Sequence, residues 1–377
     1  MNGHIPLVIP DLEFGDVKSD IEQILSTGIL TSGPYLLDFE RSVADRVGVS
    51  HAVATTSATA ALHLALVAQG VGPRDEVLIP NFTFPATANA VIQSGATPIL
   101  VDSGTNDFAM DPEKARALVS TQTRAIIPID PFGQPADHVV LEQLAVEAGI
   151  SLIVDAACSL GAARAGRECG AHGDLGCFSF HPRKIVTCGE GGMITTNDSS
   201  VADRARLLRN HGSRRTEDQK MEFAEPGFNY RMTEIQAACG LAQMKRLDQM
   251  LNDRRSNASW YNEALSNVSG VVLPMPTEDA TWSFQSYVVV LENHIDRDKV
   301  ISRMAEKDIE TTIGTYACHQ HPAFLAQRLD AGNMPNSTRY ASQTLTLPLI
   351  PRMRMSQKER VVETLISALQ APSSLSR

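Results

Sequence analysis

Between residues 51 and 196 the chain alternates short β-rich apolar runs with stretches of helical period. Strands are predicted at 51–55, 76–79, 98–101, 124–129, 151–154, 175–180 and 193–196. Helices at 60–68, 86–93 and 139–148 fall between them. A strand separated from the next by a helix returns in the same direction, so the pattern predicts a largely parallel sheet covered on both faces.

The pattern changes near residue 232. Residues 232–265 read as long helices, and the proline-containing stretch 273–277 breaks the chain. A strand-like run follows at 286–291, then helix, strand and a terminal helix near 357–369. The division expected is a large α/β domain over residues 1–250 and a smaller C-terminal α+β domain over 251–377. A chain of 377 residues is long enough for two cores.

Composition excludes several roles. The formal net charge is −10, so no electrostatic footprint for nucleic acid or an anionic membrane surface is present. No apolar run approaches the length of about 18 residues that a membrane-spanning helix needs. The first ten residues do not read as a secretory signal. The six cysteines, at 158, 169, 177, 188, 239 and 318, form no C-x-x-C pair. Neither a metal site nor a disulfide framework is expected, and a reducing cytoplasm is the plain reading.

Ligands of open α/β sheets bind beyond the carboxyl ends of the strands. After the first strand come Thr56, Ser57, Ala58 and Thr59, leading directly into a helix. Hydroxyls and free backbone N–H groups there suit a phosphate, although a plain N-cap uses the same residues. Phe84, after the second strand, offers a ring that stacks on a flat ligand or packs in a core. Asp155 ends the apolar run 151–154, where a carboxylate is costly unless it meets a cation or several donors; capping a following helix is the alternative. The densest segment is F-S-F-H-P-R-K at 178–184, closed by T-C-G-E-G-G at 187–192. Lys184 leaves a strand, follows a proline and precedes a glycine-rich turn. Such confinement withholds water from an ammonium and favours a Schiff-base nucleophile.

Together these residues resemble the DegT/DnrJ/EryC1/StrS aminotransferases, the keto-sugar branch of the fold type I enzymes that use pyridoxal phosphate (PLP). The resemblance runs nearly end to end. It includes I-P-L at 5–7, L-T-S-G-P at 30–34, Phe39-Glu40, G-P-R-D-E-V-L-I-P at 72–80 and T-F-P-A-T at 83–87. It continues through D-A-A at 155–157, the 179–192 block, G-F-N-Y-R-M at 227–232 and Leu347-Pro348.

The resemblance implies a role for each matching position. Lys184 is expected to hold PLP covalently and shuttle the proton. Asp155 is expected to pair with the pyridine nitrogen, and Phe84 to stack on the ring. Ser57, Ala58, Thr59 and Ser179 are expected around the phosphate. Asn229 is expected to reach that phosphate from a neighbouring subunit, so a homodimer with shared active sites is implied. His319, Tyr316 and Arg231 are expected near the substrate. The implied reaction moves an amino group from an amino acid, usually glutamate, through the pyridoxamine form of the cofactor (PMP) to a keto-sugar, usually nucleotide-linked and 6-deoxy. A cyclitol ketone or other non-nucleotide substrate is an alternative. A PMP-dependent sugar dehydratase has histidine in place of the lysine, and Lys184 argues against it. A non-catalytic sensor is disfavoured by the intact set of Asp155, Ser179 and Lys184.

Two positions depart from the family pattern. Cys158 stands where a glutamine usually contacts the cofactor hydroxyl, and a thiol is a poor donor in its place. Ala58 stands where glycine is usual, which is compatible only with a negative φ.

Overall fold

A computed structural model describes residues 3–325 and 333–370. Seven strands form the central sheet: β1 (His51–Thr55), β2 (Glu76–Pro80), β3 (Thr97–Val101), β4 (Thr123–Ile126), β5 (Ser151–Asp155), β6 (Leu175–Ser179) and β7 (Gly192–Thr196). Their order across the sheet is β1-β7-β6-β5-β4-β2-β3. The pairs β2/β3, β2/β4, β4/β5 and β5/β6 are parallel.

Successive residues along each strand point into different cores, as a period of two requires. Ala52, Ala54, Leu78, Leu152 and Val154 enter one apolar cluster. Their neighbours Val53, Val77, Ile79 and Ile153 enter the other. The sheet is therefore dry on both faces, which is why its strands read as continuous apolar runs.

Two expectations change in detail. β7 is antiparallel to both β6 and β1. The connection over residues 180–191 holds no crossover helix, and a chain that does not cross over returns in the opposite direction. β4 ends at Ile126 and not at Ile129. Pro128 has no N–H to give a ladder, although the Ile127 N–H still donates to the Leu78 carbonyl at 2.8 Å.

Helix α1 (Phe14–Thr27) and helix α2 (Pro34–Val47) precede the sheet. Helix α3 (Ala58–Ala68) follows β1 and helix α4 (Ala86–Gln93) follows β2. The start of α2 is capped from far away in sequence. The fully buried Glu234 carboxylate accepts from the Gly33, Tyr35 and Leu36 N–H groups at 2.9, 2.9 and 3.1 Å. A Cβ on Gly33 would lie 2.6 Å from that carboxylate, so the glycine at 33 is a matter of close approach.

Toward the C-terminus, a second core forms on a four-stranded antiparallel sheet of Val271–Val272, Tyr287–Leu291, Thr344–Leu347 and Thr312–Ile313. Tyr261, Tyr287, Leu345 and Val361 lie in it, and Ile5 from the other end of the chain joins them. The helix Leu247–Leu265 spans both cores. Leu247, Met250 and Leu251 pack in the first, and Ala258, Tyr261 and Leu265 in the second.

The triple cap predicts a stability cost. Glu234→Ala leaves three N–H groups without their acceptor and should destabilise the protein by about 3 kcal/mol or more, since each buried orphan donor costs about 1–3 kcal/mol. Urea unfolding checks this. A loss below about 1 kcal/mol would show that water replaces the carboxylate.

Candidate active site

The carboxyl ends of β1, β2, β5 and β6 and the amino end of β7 open on one cavity of about 1020 Å³. Ser57, Ala58, Thr59, Phe84, Asp155, Cys158, Ser179 and Lys184 all line it. On the other side the wall is Leu7, Thr312, Gly314, Thr346 and Leu347. Residues from both cores thus meet around it.

The anion end is built on α3. Ser57 is the N-cap, and its Oγ accepts from the Ala60 N–H at 3.1 Å. The first-turn amides have no carbonyl one turn earlier to bond, so the Ala58 and Thr59 N–H groups and the helix dipole favour an anion. Ala58 is already helical, outside the left-handed region that would demand glycine. β7 passes directly beneath this turn. A Cβ on Gly192 would lie 2.3 Å from the Ser57 carbonyl oxygen and 2.7 Å from the Ala58 nitrogen, so any side chain there would push α3 away.

Asp155 ends β5 and is 3% exposed. Its Oδ2 accepts from Thr87 Oγ1 at 2.8 Å, and its Oδ1 from the Ala157 N–H at 3.2 Å. A turn, not a helix, follows it, so it caps no helix. Burial pushes its carboxyl above the usual carboxylate range, and the Thr87 and Ala157 bonds and the Lys184 charge oppose this in part. Thr87 sits in a motif quoted from the sequence but had no predicted role.

Lys184 lies in the loop between β6 and β7. That loop is closed at its base by Phe180 N–H to Gly191 O and Cys188 N–H to Phe180 O, both 2.9 Å. The Lys184 Nζ donates to Cys158 Sγ at 2.9 Å. Ser179 Oγ accepts from the His181 N–H at 3.4 Å.

A further buried group under the site escaped the sequence reading. The Asp130 N–H donates to the Asp155 carbonyl at 3.2 Å. The Asp130 carboxylate accepts from the Ala136 N–H at 2.8 Å and from Ser159 Oγ at 2.7 Å. The His138 Nε2 is 2.8 Å from Asp130 Oδ1, and both side chains are fully buried. Burial alone would raise the Asp130 carboxyl; His138, Ala136 and Ser159 outweigh it and hold the group low. Asp130 also follows an apolar run, the same signal that marked Asp155.

Four predicted residues lie away from the cavity wall. Asn229 is exposed and pairs by its backbone with Asn210. Arg231 donates to Asn210 Oδ1 at 2.7 Å. His319 is tied to Asn81, ring nitrogen Nδ1 to Asn81 Nδ2 at 2.7 Å and backbone N–H to Asn81 Oδ1 at 3.0 Å. Tyr316 is nearer, with its ring 6.3 Å from that of Phe84.

These features suit PLP. A helix start with N–H donors would take its phosphate, the Lys184 amine on the cavity wall would meet its aldehyde, and the buried Asp155, pushed up by burial, would take its ring N–H.

The comparisons with known proteins agree. The chain is 39% identical over 323 residues to the GDP-perosamine synthase of Caulobacter vibrioides, covering 85% of this chain and 86% of that one. It matches the structure of S. venezuelae DesV in complex with a ketimine intermediate at 31% identity and TM-score 0.91, over 99% of this chain and 100% of the other. It matches Spr1654 of Streptococcus pneumoniae in its PMP form at 26% identity and TM-score 0.92, over 97% and 99%. The family model described as the DegT/DnrJ/EryC1/StrS aminotransferase family covers residues 14–366, and this chain belongs to that family.

Proposed function

We propose that this PLP-dependent enzyme moves an amino group from glutamate to a nucleotide-linked keto-sugar, in a homodimer whose active sites are shared. The observation that carries this reading is the meeting of Lys184, Asp155 and the start of α3 around one cavity. That cavity is at the upper end of the range for small-molecule sites, roughly 300–1,000 Å³, which suits a cofactor and a large substrate together. The name of the Caulobacter relative, a GDP-perosamine synthase, supports a nucleotide sugar.

PLP when bound supplies the electron sink for removing and returning an amino group. The residues do the rest. The α3 amides and the Ser57, Thr59 and Ser179 hydroxyls would hold its phosphate. Asp155 would pair with the ring nitrogen, since a cationic N–H against it offsets the cost of its burial. Lys184 Nζ would serve as the general acid and base, and Cys158 Sγ would hold that nitrogen when it is not attached to the cofactor. Phe84 would stack on the ring, with Tyr316 beside it.

The homodimer has support in exposed apolar groups. Phe14, Met221 and Phe223 are 70, 55 and 69% exposed in the single chain. Asn229 is exposed close to the strand pair of Ser213–Arg215 and Met221–Phe223. An amide there donates to a phosphate across an interface.

Lys184→Ala should fold, since the side chain fills no apolar core, and should lose about 10²–10⁴-fold in turnover. Sustained multiple turnover in that variant would remove the assignment.

The Asp155 prediction concerns pH. Its raised folded-state pKa means that the carboxyl favours folding when protonated; that contribution is complete below the unfolded pKa and is lost as pH rises through the folded value. At neutral pH the cofactor-free protein therefore bears the cost of a buried charge. Asp155→Asn should make cofactor-free protein more stable at neutral pH, with the advantage vanishing in acid, while transamination falls steeply. Thermal melts across pH check the first part; equal melting at every pH would refute it.

Incubation with glutamate alone should release 2-oxoglutarate, and nucleotide-linked keto-sugars should complete the cycle. For the shared site, Lys184→Ala and Asn229→Asp subunits should be mixed, each being weak alone. With donation across the interface, a mixed dimer carries both lesions in one site and none in the other, so activity returns. A flat mixing curve, with subunit exchange verified, would eliminate sharing.

A further inference from the structure

Cys158 accepts a hydrogen bond from the Lys184 amine, but the transfer reaction makes no use of the redox chemistry of its sulfur. Its Sγ lies 2.9 Å from the Lys184 Nζ, with both groups on the wall of one solvent-reached cavity. Of the other cysteines, Cys169, Cys177, Cys188 and Cys318 are buried, and buried thiols are inert to oxidation, which is selective for accessible ones. Cys239 is half-buried, as Cys158 is, but does not line the cavity.

We infer that Cys158 is a covalent modification site for peroxide, at which the oxidised sulfur is captured by the adjacent Lys184 amine. The first step consumes one hydrogen peroxide. The thiol sulfur attacks one peroxide oxygen, the O–O bond breaks, and sulfenic acid and water result; sulfur loses two electrons and peroxide gains them. In the second step the Nζ lone pair attacks the sulfur and the S–O bond breaks. Hydroxide leaves and takes a proton from the amine, so the products are an S–N bond and water, with no further redox change. Sulfenic acids already close on backbone nitrogen in this way; here a more basic nitrogen is hydrogen-bonded to the sulfur. Two equivalents of an external thiol reverse the link, giving back thiol and amine and leaving one disulfide.

The bond removes the amine on which turnover depends. That consequence rests on the role proposed for Lys184; the bond itself does not. Lys184 is free when the cofactor is in its PMP form and engaged when the cofactor is attached to it. The modification is therefore selective for protein that has taken an amino group and waits for acceptor. A cell that runs short of keto-sugar under oxidative stress would hold the enzyme in a closed, recoverable state.

The test uses the full chain in three forms: lysine-bound PLP, PMP-loaded and cofactor-free. Each is exposed to hydrogen peroxide, denatured with an alkylating agent and without reductant, and read by intact mass and peptide mapping. In the PMP-loaded and cofactor-free forms the chain should lose two hydrogens, and a peptide pair joined through Cys158 and Lys184 should appear and vanish with dithiothreitol. The lysine-bound form should be protected. Cys158→Ser should form no link, and Lys184→Arg should stop with oxygen added at Cys158. Wild-type protein that adds oxygen at Cys158 without cross-linking, or that is oxidised first at Cys239, would overturn the inference. A protein that cross-links but gives no 2-oxoglutarate from glutamate would leave this site standing and sink the proposed function; the converse pair of results would do the reverse.

Discussion

A sheet that is dry on both faces brings its polar business to its edge. Every residue on a face of this sheet must be apolar or fully bonded, because helices and loops cover both sides. The carboxyl ends of the strands are where the chain can turn, expose backbone N–H groups and present side chains to a cavity. Five strands converge there. At Gly192, β7 runs within touching distance of the Ser57 carbonyl, and a side chain there would push the start of α3 away from it.

Charge is managed locally in a chain whose overall field is negative. Asp155 is buried at a cost that Thr87, Ala157 and Lys184 offset in part. Asp130, one strand away, is buried too, but a denser set of partners holds it ionised. The difference between the two carboxylates has chemical content. Asp130 is held low by its partners, whereas Asp155, on the cavity wall, is pushed up by burial despite the two donors it has. The helix start opposite offers N–H donors without a formal charge, which suits a dianionic phosphate.

The second core finishes the cavity without providing its reactive groups. Thr312, Gly314, Thr346 and Leu347 form the far wall, and the strand pair of Tyr316–Ala317 with Phe82–Thr83 ties that wall to the loop that holds Phe84. Because Leu247–Leu265 is anchored in both cores, the two walls are set by a single rigid rod. His319 takes part in this tie through Asn81, so its place is explained by structure alone.

Much was legible in the sequence because it depends on local rules. The apolar runs of β1, β2 and β5, the N-cap at Ser57, the carboxylate at the end of an apolar run and the lysine before a glycine-rich turn all follow from neighbours along the chain. The resemblance then attached roles to residues that had looked ordinary one by one. The reversal of β7 was also within reach, since no helix separates it from β6. What the sequence by itself determined is the kind of fold and the identity of the groups at each strand end, for those are consequences of spacing and burial preference. Tertiary structure alone decided that Glu234 caps α2, that Thr87 braces Asp155, that Asp130 lies beneath it and that Cys158 meets Lys184. Such contacts join residues from separate elements, and their distances are set by how the layers pack, which no local pattern encodes.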